Sequence, residues 1–300
     1  MAESIVFTAL HGNAFAERMC QTSPTIVLGM HRSGTSLAVR LLNDLGVHMG
    51  ARLSRDAEAV YFQKLNRRIY QTVGADWANI QSLTQAVQNS RFVDQQATQL
   101  AKALFTRNLL LGNKPGIAAF FGPKHWCRLD EDPLLPWGWK DPRTTLLFTI
   151  WLKVFPQARI VHLIRNGIDV AISTHRRSLK QQKKLRNHIL SFDYKPVTLD
   201  FEYCFRLWES YLGYVLERKA LIPENQYYEL RYEDLLAEPH LQLRSLMSFL
   251  GQPVDDSSLA WVSAQINRER LDNSEYARPY ADEITVLSQS PLMQLFDYSR

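Results

Sequence analysis

One stretch constrains the fold more than any other: Thr25-Ile26-Val27-Leu28-Gly29-Met30-His31-Arg32-Ser33-Gly34-Thr35-Ser36-Leu37. A short apolar run rich in β-branched residues ends at Gly29, a loop follows, and Thr35 to Gly46 carries a helical pattern. Strand, glycine-bracketed loop and helix together turn backbone N–H groups and a helix N-terminus toward an anion. The G-x-x-x-x-G spacing is that of a phosphate-binding loop, but the usual lysine is missing because Thr35 and Ser36 follow Gly34 directly. Arg32 is the replacement cation, with a planar fork able to hold two oxygens at once. A plain glycine turn is the alternative; the cation and the hydroxyl residues between and after the glycines favour the anion site.

The same alternation recurs downstream. Trp137 to Lys140 reads as a second strand, followed by Asp141-Pro142-Arg143 and a helix over Thr144 to Val154. Ala158 to Ile164 reads as a third strand, with a helix from Gly167 to about Arg177 after it. Gln226 to Leu230 reads as a fourth and leads into Arg231-Tyr232-Glu233-Asp234. Between the last two, Phe201, Cys204, Phe205, Trp208, Tyr211, Leu212 and Val215 trace one face of a long helix. A further helix runs from Pro239 to Gly251. Strands alternating with helices predict an α/β fold with a doubly wound, mainly parallel sheet, whose ligand site lies at the carboxyl ends of the strands. Arg32, Lys140, Arg165 and Arg231 all fall at such ends.

Residues 1–22 read as a short helix or a loose arm. Residues 51–130 form a largely helical insertion, with helices over Glu58 to Thr72 and Phe92 to Leu111, placed to cap the sheet and shape an acceptor pocket. The 300 residues are read as one domain. The net charge of +5 suits an anionic small ligand and is too mild to argue for nucleic acid. No uncharged apolar run approaches the ~18 residues of a membrane span. The start of the chain lacks a signal-peptide pattern, and Cys20, Cys127 and Cys204 form no metal or disulfide spacing. These features predict a soluble, cytoplasmic protein.

Two clusters suggest further anion chemistry. Arg165 at a strand end, Asn166 at a helix cap and Ser173 one to two turns on could clasp a second phosphate; alternatively Arg165 pairs only with Asp169. Lys140, behind Trp137 and Trp139, is either placed in the site or tied to Asp141. The tryptophans Trp126, Trp137 and Trp139 either stack on an acceptor or pack in the core. The basic run His175, Arg176, Arg177, Lys180, Lys183, Lys184, Arg186 and His188 is a lid, a track for an acidic acceptor or a solvated helix face.

With these motifs in view, Gly29-Met-His-Arg-Ser-Gly-Thr-Ser36 resembles the 5′-phosphosulfate loop of sulfotransferases that use 3′-phosphoadenosine-5′-phosphosulfate. Arg165-Asn-Gly-Ile-Asp-Val-Ala-Ile-Ser173 resembles their 3′-phosphate motif. Trp139-Lys-Asp-Pro-Arg143 and Arg231-Tyr-Glu-Asp-Leu-Leu236 are similar to two further signatures, and the flavour is that of the bacterial branch. The resemblance implies transfer of a sulfuryl group from that donor to a hydroxyl or amine acceptor, a saccharide among the candidates, by in-line displacement and without a metal. It implies that Arg32, Ser33, Gly34, Thr35 and Ser36 hold the 5′-phosphate and that Lys140 meets the sulfuryl oxygens. Arg165 and Ser173 would bind the 3′-phosphate, and Tyr232 would flank the adenine.

Two departures stand out. Where the bacterial branch carries an acidic general base after two aromatics, this chain has Tyr61-Phe62-Gln63, and an amide is no base. Glu58 or Asp56 is the substitute, unless both are helix-surface acids, and His31 is a weaker candidate. The glycine-rich basic 3′-phosphate loop of the cytosolic enzymes has no counterpart, with only Arg268 and Arg270 in that region. Gln63 keeps a non-catalytic nucleotide-binding relative as an alternative, and Asp141, as a Mg²⁺ ligand, would be needed for a P-loop kinase.

Overall fold

The computed structural model describes residues 12–131, 135–186, 199–267 and 274–298. Helix α1 (Ala14–Cys20) precedes strand β1 (Thr25–Leu28), and the glycine loop then leads into α2 (Thr35–Asp44). Helices α3 (Val60–Thr72), α4 (Gln81–Ala86) and α5 (Ser90–Phe105) follow, then a small hairpin of β2 (Arg107–Asn108) and β3 (Lys114–Pro115), and α6 (Ala118–Glu131), kinked at Gly122. Strand β4 (Gly138–Lys140), α7 (Thr144–Val154), β5 (Arg159–Ile164), α8 (Gly167–Arg186) and α9 (Phe201–Arg218) come next. The chain continues through β6 (Tyr227–Arg231), α10 (Tyr232–Ala237), α11 (Pro239–Phe249), α12 (Asp256–Ala264), α13 (Ser274–Ala277), α14 (Ala281–Leu287) and α15 (Pro291–Leu295).

The four long-range strands form one parallel sheet in the order β4-β1-β5-β6. From β1 the chain crosses to β4 on one side and then returns past β1 to β5 on the other, so the strand order reverses at β1. Such a reversal opens a crevice at the carboxyl ends of the strands. Side chains on a strand point alternately to opposite faces, and the two cores sort accordingly. Ile160 and Ile164 join the layer built with α5, α7 and α9, while Val161 and Leu163 join the layer of α2, α10, α11 and α12. Burial on both faces explains why these strands read as continuous apolar runs. All four expected strands form, each within a residue or two of its expected bounds.

Three expectations need correction. The helix expected over Phe92 to Leu111 ends at Phe105. Leu109, Leu110 and Leu111 are consecutive rather than spaced along one face, so beyond Phe105 no helical stripe can be buried. They sit instead at the exposed hairpin tip, where the Asn108 side chain accepts from Leu110 N–H. Helix α8 runs on to Arg186 because Arg, Lys, Gln and Leu favour helix and no breaker intervenes. Finally, α3 starts at Val60 rather than Glu58, because residues Ser54 to Glu58 close a tight turn in which Ser54 N–H donates to Glu58 O and Ala57 takes a φ of 54°. Glu58 therefore stands on a loop beside the sheet.

The tryptophan question resolves toward packing. Phe62 stacks on Trp139 with centroids 4.1 Å apart, Trp137 lies 5.9 Å from Trp139, and both tryptophans are buried. Trp126 packs against Phe15 at the edge of the same core. Asp141 is fully buried and binds the side chains of Asn66 and Arg143, with Asn66 also accepting from Trp151 Nε1. With both neighbours engaged, Asp141 braces the sheet and is not placed as a Mg²⁺ ligand. Among the described residues, no helix is long and apolar enough to cross a membrane.

Candidate active site

The loop after β1 is shaped for an anion. Gly29 N–H donates to Thr145 Oγ1, and that hydroxyl donates back to Gly29 O, fixing the strand's exit. Arg32 takes a φ of 74° and Gly34 one of 92°, so successive backbone groups turn inward. A Cβ on Gly34 would lie 2.2 Å from Tyr232 Cδ2, so only glycine fits there. Gly34 supplies no side-chain cap to α2, leaving the helix's first N–H groups open to a ligand.

Over this loop lies a cavity of about 500 Å³ whose walls include Arg32, Thr35, Ser36, Lys140, Arg165 and Ser173. Three of the four strand-end cations therefore meet at one place. The fourth does not: Arg231 Nη2 donates to Phe296 O, 2.7 Å away, and the guanidinium lies over the Tyr298 ring, so it ties the C-terminal segment to the sheet. Ser33 is buried and lies outside the cavity wall. Tyr232 forms part of the wall, with its ring against Gly34 and 4.5 Å from the Arg165 guanidinium.

Arg165 makes the pair with Asp169 anticipated as the plain alternative, 3.3 Å away, but it does more than that. Nη1 donates to Arg32 O, while Nε is buried with no hydrogen-bond partner. An orphaned donor of this kind on a cavity wall fits an anion. Arg32 Nε donates to Ser173 Oγ at 2.8 Å, bringing the two halves of the predicted 3′- and 5′-phosphate clasps into contact. Asn166 caps α8 through Ile168 N–H, as expected of that position.

Lys140 is almost wholly buried and is not tied to Asp141. Its Nζ donates to Asp56 O at 2.6 Å and to Ser36 Oγ at 3.3 Å, and lies 3.9 Å from Glu58 Oε1. Burial lowers its pKa to about 8 against the opposing pull of Glu58, Asp141 and Asp56. Glu58 is itself buried, which contradicts the helix-surface reading, and burial raises its pKa despite Lys140. The Gln63 side-chain amide donates to Glu58 Oε2. For Asp56, burial works to raise the pKa, but the hydrogen bond and charge of Arg177 outweigh it and hold it below the ordinary value. His31 is held neutral by burial and by Arg143, Lys140 and Arg177 around it.

Several wall residues lie outside the four motifs, though the basic run marks Arg177 among them. Arg40 and Arg177 reach the cavity from α2 and α8, and a contiguous space of about 330 Å³ on the α3 side is walled by Asp76, Trp77, Arg143 and Leu199. Helical periodicity could have flagged Arg40 only as a surface residue, and the Asp76-Trp77 loop gives no signal at all. In the basic run, His175 is buried between Leu199 O and Tyr280, Arg176 lies over the Tyr276 ring, and Arg177 pairs with Asp56. The side chains of Lys183, Lys184 and Arg186, and His188, Arg268 and Arg270 entirely, lie outside the described residues. No three of His, Cys, Asp and Glu come together as a metal site among the described residues.

Over 115 residues the chain is 30% identical to the omega-hydroxy-beta-dihydromenaquinone-9 sulfotransferases of Mycobacterium bovis and Mycobacterium tuberculosis, covering 37% of this chain and 28% of each relative. It is 28% identical over 121 residues to protein-tyrosine sulfotransferase A of Caenorhabditis elegans, covering 40% of this chain and 28% of that one. These matches thus span less than a third of the relatives' own length. A sulfotransferase structure from Mycobacterium avium aligns over 94% of this chain and 81% of its own, at 13% identity and a TM-score of 0.47. The model of the sulfotransferase family matches residues 24–256, a stretch holding the glycine loop, all four strands of the parallel sheet and the cationic cavity wall, and the chain belongs to that family.

Proposed function

We propose that the chain transfers a sulfuryl group from 3′-phosphoadenosine-5′-phosphosulfate to a hydroxyl acceptor. The observation that carries this reading is the meeting of Glu58, Lys140 and the open N-terminus of α2 at one cavity. The relatives' names, an omega-hydroxy compound and a protein tyrosine, support a hydroxyl over an amine acceptor. Residues 51–130 are read as the acceptor side of one domain spanning residues 1–300.

The α2 N-terminus with Thr35 and Ser36 would hold the 5′-phosphate, while Ser33, whose N–H donates to Met30 O, shapes the loop, and Arg165 with Ser173 would hold the 3′-phosphate. Tyr232 would border the adenine. The donor supplies an activated sulfur centre on a phosphate leaving group. Glu58 would accept the acceptor hydroxyl's proton, with the Gln63 amide orienting its carboxylate. A carboxyl whose pKa is raised by burial is a stronger base than an exposed one, which suits this role. Lys140 and Arg32 would stabilise charge on the oxygens around sulfur and on the leaving phosphate. Asp56 O would give way, since Lys140 Nζ and Ser36 Oγ both bond it.

The test is a thermal-shift titration with 3′,5′-adenosine bisphosphate, beside ATP with Mg²⁺, on wild type and Arg165→Ala. The reading expects a saturable shift with the bisphosphate, weakened roughly tenfold to a hundredfold by the substitution. A Mg²⁺-dependent shift with ATP alone would overturn it.

A further inference from the structure

The donor cavity carries six cations, Arg32, Arg40, Lys140, Arg165, Arg176 and Arg177, against the carboxylates Asp56 and Glu58. A nucleotide with a 3′-phosphate and a 5′-phosphosulfate carries about four negative charges near neutral pH, enough to take up the wall's net positive charge, since Asp169 also offsets Arg165. The positive charge does not stop there. A second space of about 390 Å³ adjoins the first, sharing Arg32, Asp56, Ser173, Arg176 and Arg177, and adds Arg55, Lys180 and Gln181. It therefore extends beyond the donor wall along α8.

No described residue neutralises this extension. Neither Arg55 nor Lys180 forms an ion pair among the described residues, and Asp56, the one carboxylate on the groove wall, is already taken by Arg177 at 2.7 Å. Between Asp169 and Asp193 the sequence has no acidic residue, so α8 lacks the i,i+4 partners that accompany a solvated charged face. Arg176 is also pre-positioned, its guanidinium carbon 3.3 Å from the Tyr276 ring centroid, a contact that holds it at the groove. Burial first, then the neighbouring Arg177, lowers the Arg32 pKa.

We propose that the groove of Arg55, Arg176, Lys180 and Gln181 is an acceptor subsite for an oxyanion, and that the acceptor is a hydroxyl compound bearing a carboxylate, phosphate or sulfate. This rests on the sulfotransferase reading above. The hydroxyl end lies toward Glu58 and the anionic end along α8, since the space beside Glu58 shares Arg55, Arg177 and Gln181 with the groove. Selection would come from charge: a neutral alcohol leaves these cations without a counter-ion, while an anionic one satisfies them.

The test is calorimetric titration of inorganic tripolyphosphate into protein saturated with 3′,5′-adenosine bisphosphate, for wild type and the Arg55→Ala/Lys180→Ala double variant. Both side chains are exposed, so the fold tolerates their loss, and an unchanged melting temperature checks this. Expected are binding to the loaded wild type, about tenfold weaker binding by the double variant, and unchanged bisphosphate affinity. Absence of binding to the loaded wild type, or equal binding by the double variant, overturns the subsite. If the bisphosphate itself fails to bind, the donor reading falls, and the same comparison on unloaded protein decides what remains: a tenfold loss upholds the oxyanion site but overturns its acceptor role, and equality overturns both.

Discussion

The Gln63 side-chain amide donates a hydrogen bond to the Glu58 carboxylate, across the start of α3. An amide at the position where relatives of the bacterial branch are expected to carry their base thus orients a carboxylate supplied from five residues earlier. The relationship gives Gln63 a purpose that does not require the chain to be inactive.

Replacing Glu58 with Gln is therefore expected to lower kcat by about 10²–10⁴-fold while leaving bisphosphate affinity within a few-fold of wild type. Gln63→Ala should cost less, and should move the acid limb of the kcat/KM profile upward, because a donor to the charged carboxylate is lost. Steady-state kinetics across pH beside thermal-shift titration read both. An unmoved acid limb in Gln63→Ala would leave that residue a structural role only.

The pH dependence of kcat/KM should be bell-shaped. Glu58 must be ionised to take a proton, and its raised pKa places the acid limb above the ordinary carboxylate range. Lys140 must be protonated to stabilise charge, and its pKa of about 8 places the alkaline limb there. Lys140→Arg should abolish the alkaline limb, since arginine stays charged throughout. A limb persisting near pH 8 in that variant would assign it to another group.

Gly34→Ala should destabilise the protein by about 1–3 kcal/mol and weaken donor binding, because the methyl meets the Tyr232 ring at 2.2 Å and the backbone has a φ of 92°. Gly213→Ala serves as the contrast. It lies inside α9 with nothing within 4 Å of the added carbon, and should stabilise by about 0.5–1 kcal/mol. Chemical denaturation of both variants checks the pair.

Stability should fall as pH drops below about 6.5. His162 is buried, its Nδ1 2.7 Å from Tyr227 Oη, and burial lowers its pKa to about 3. Below 6.5 the unfolded chain takes up a proton that the native His162 refuses, which favours unfolding. At pH 5 this histidine alone costs about 2 kcal/mol. Denaturation midpoints at pH 7 and pH 5 should differ by less in His162→Gln than in wild type.

The strands, most of the helices and the cationic strand ends are legible in the amino-acid order, because those depend on local patterning: apolar runs, glycine spacing and helical periodicity. The Gly29 to Ser36 loop and the Arg165 to Ser173 interval belong to the same class, each written within one strand–helix unit. The relations between units come from long-range packing instead. Arg231 has the same local setting as Arg165 but turns to Phe296, because the C-terminal segment packs against its strand. Glu58 lies beside Lys140 because Ala59 N–H donates to Lys140 O, joining residues far apart in sequence. Burial then sets the pKa values of both groups, and no spacing along the chain encodes the surroundings that a distant segment will supply.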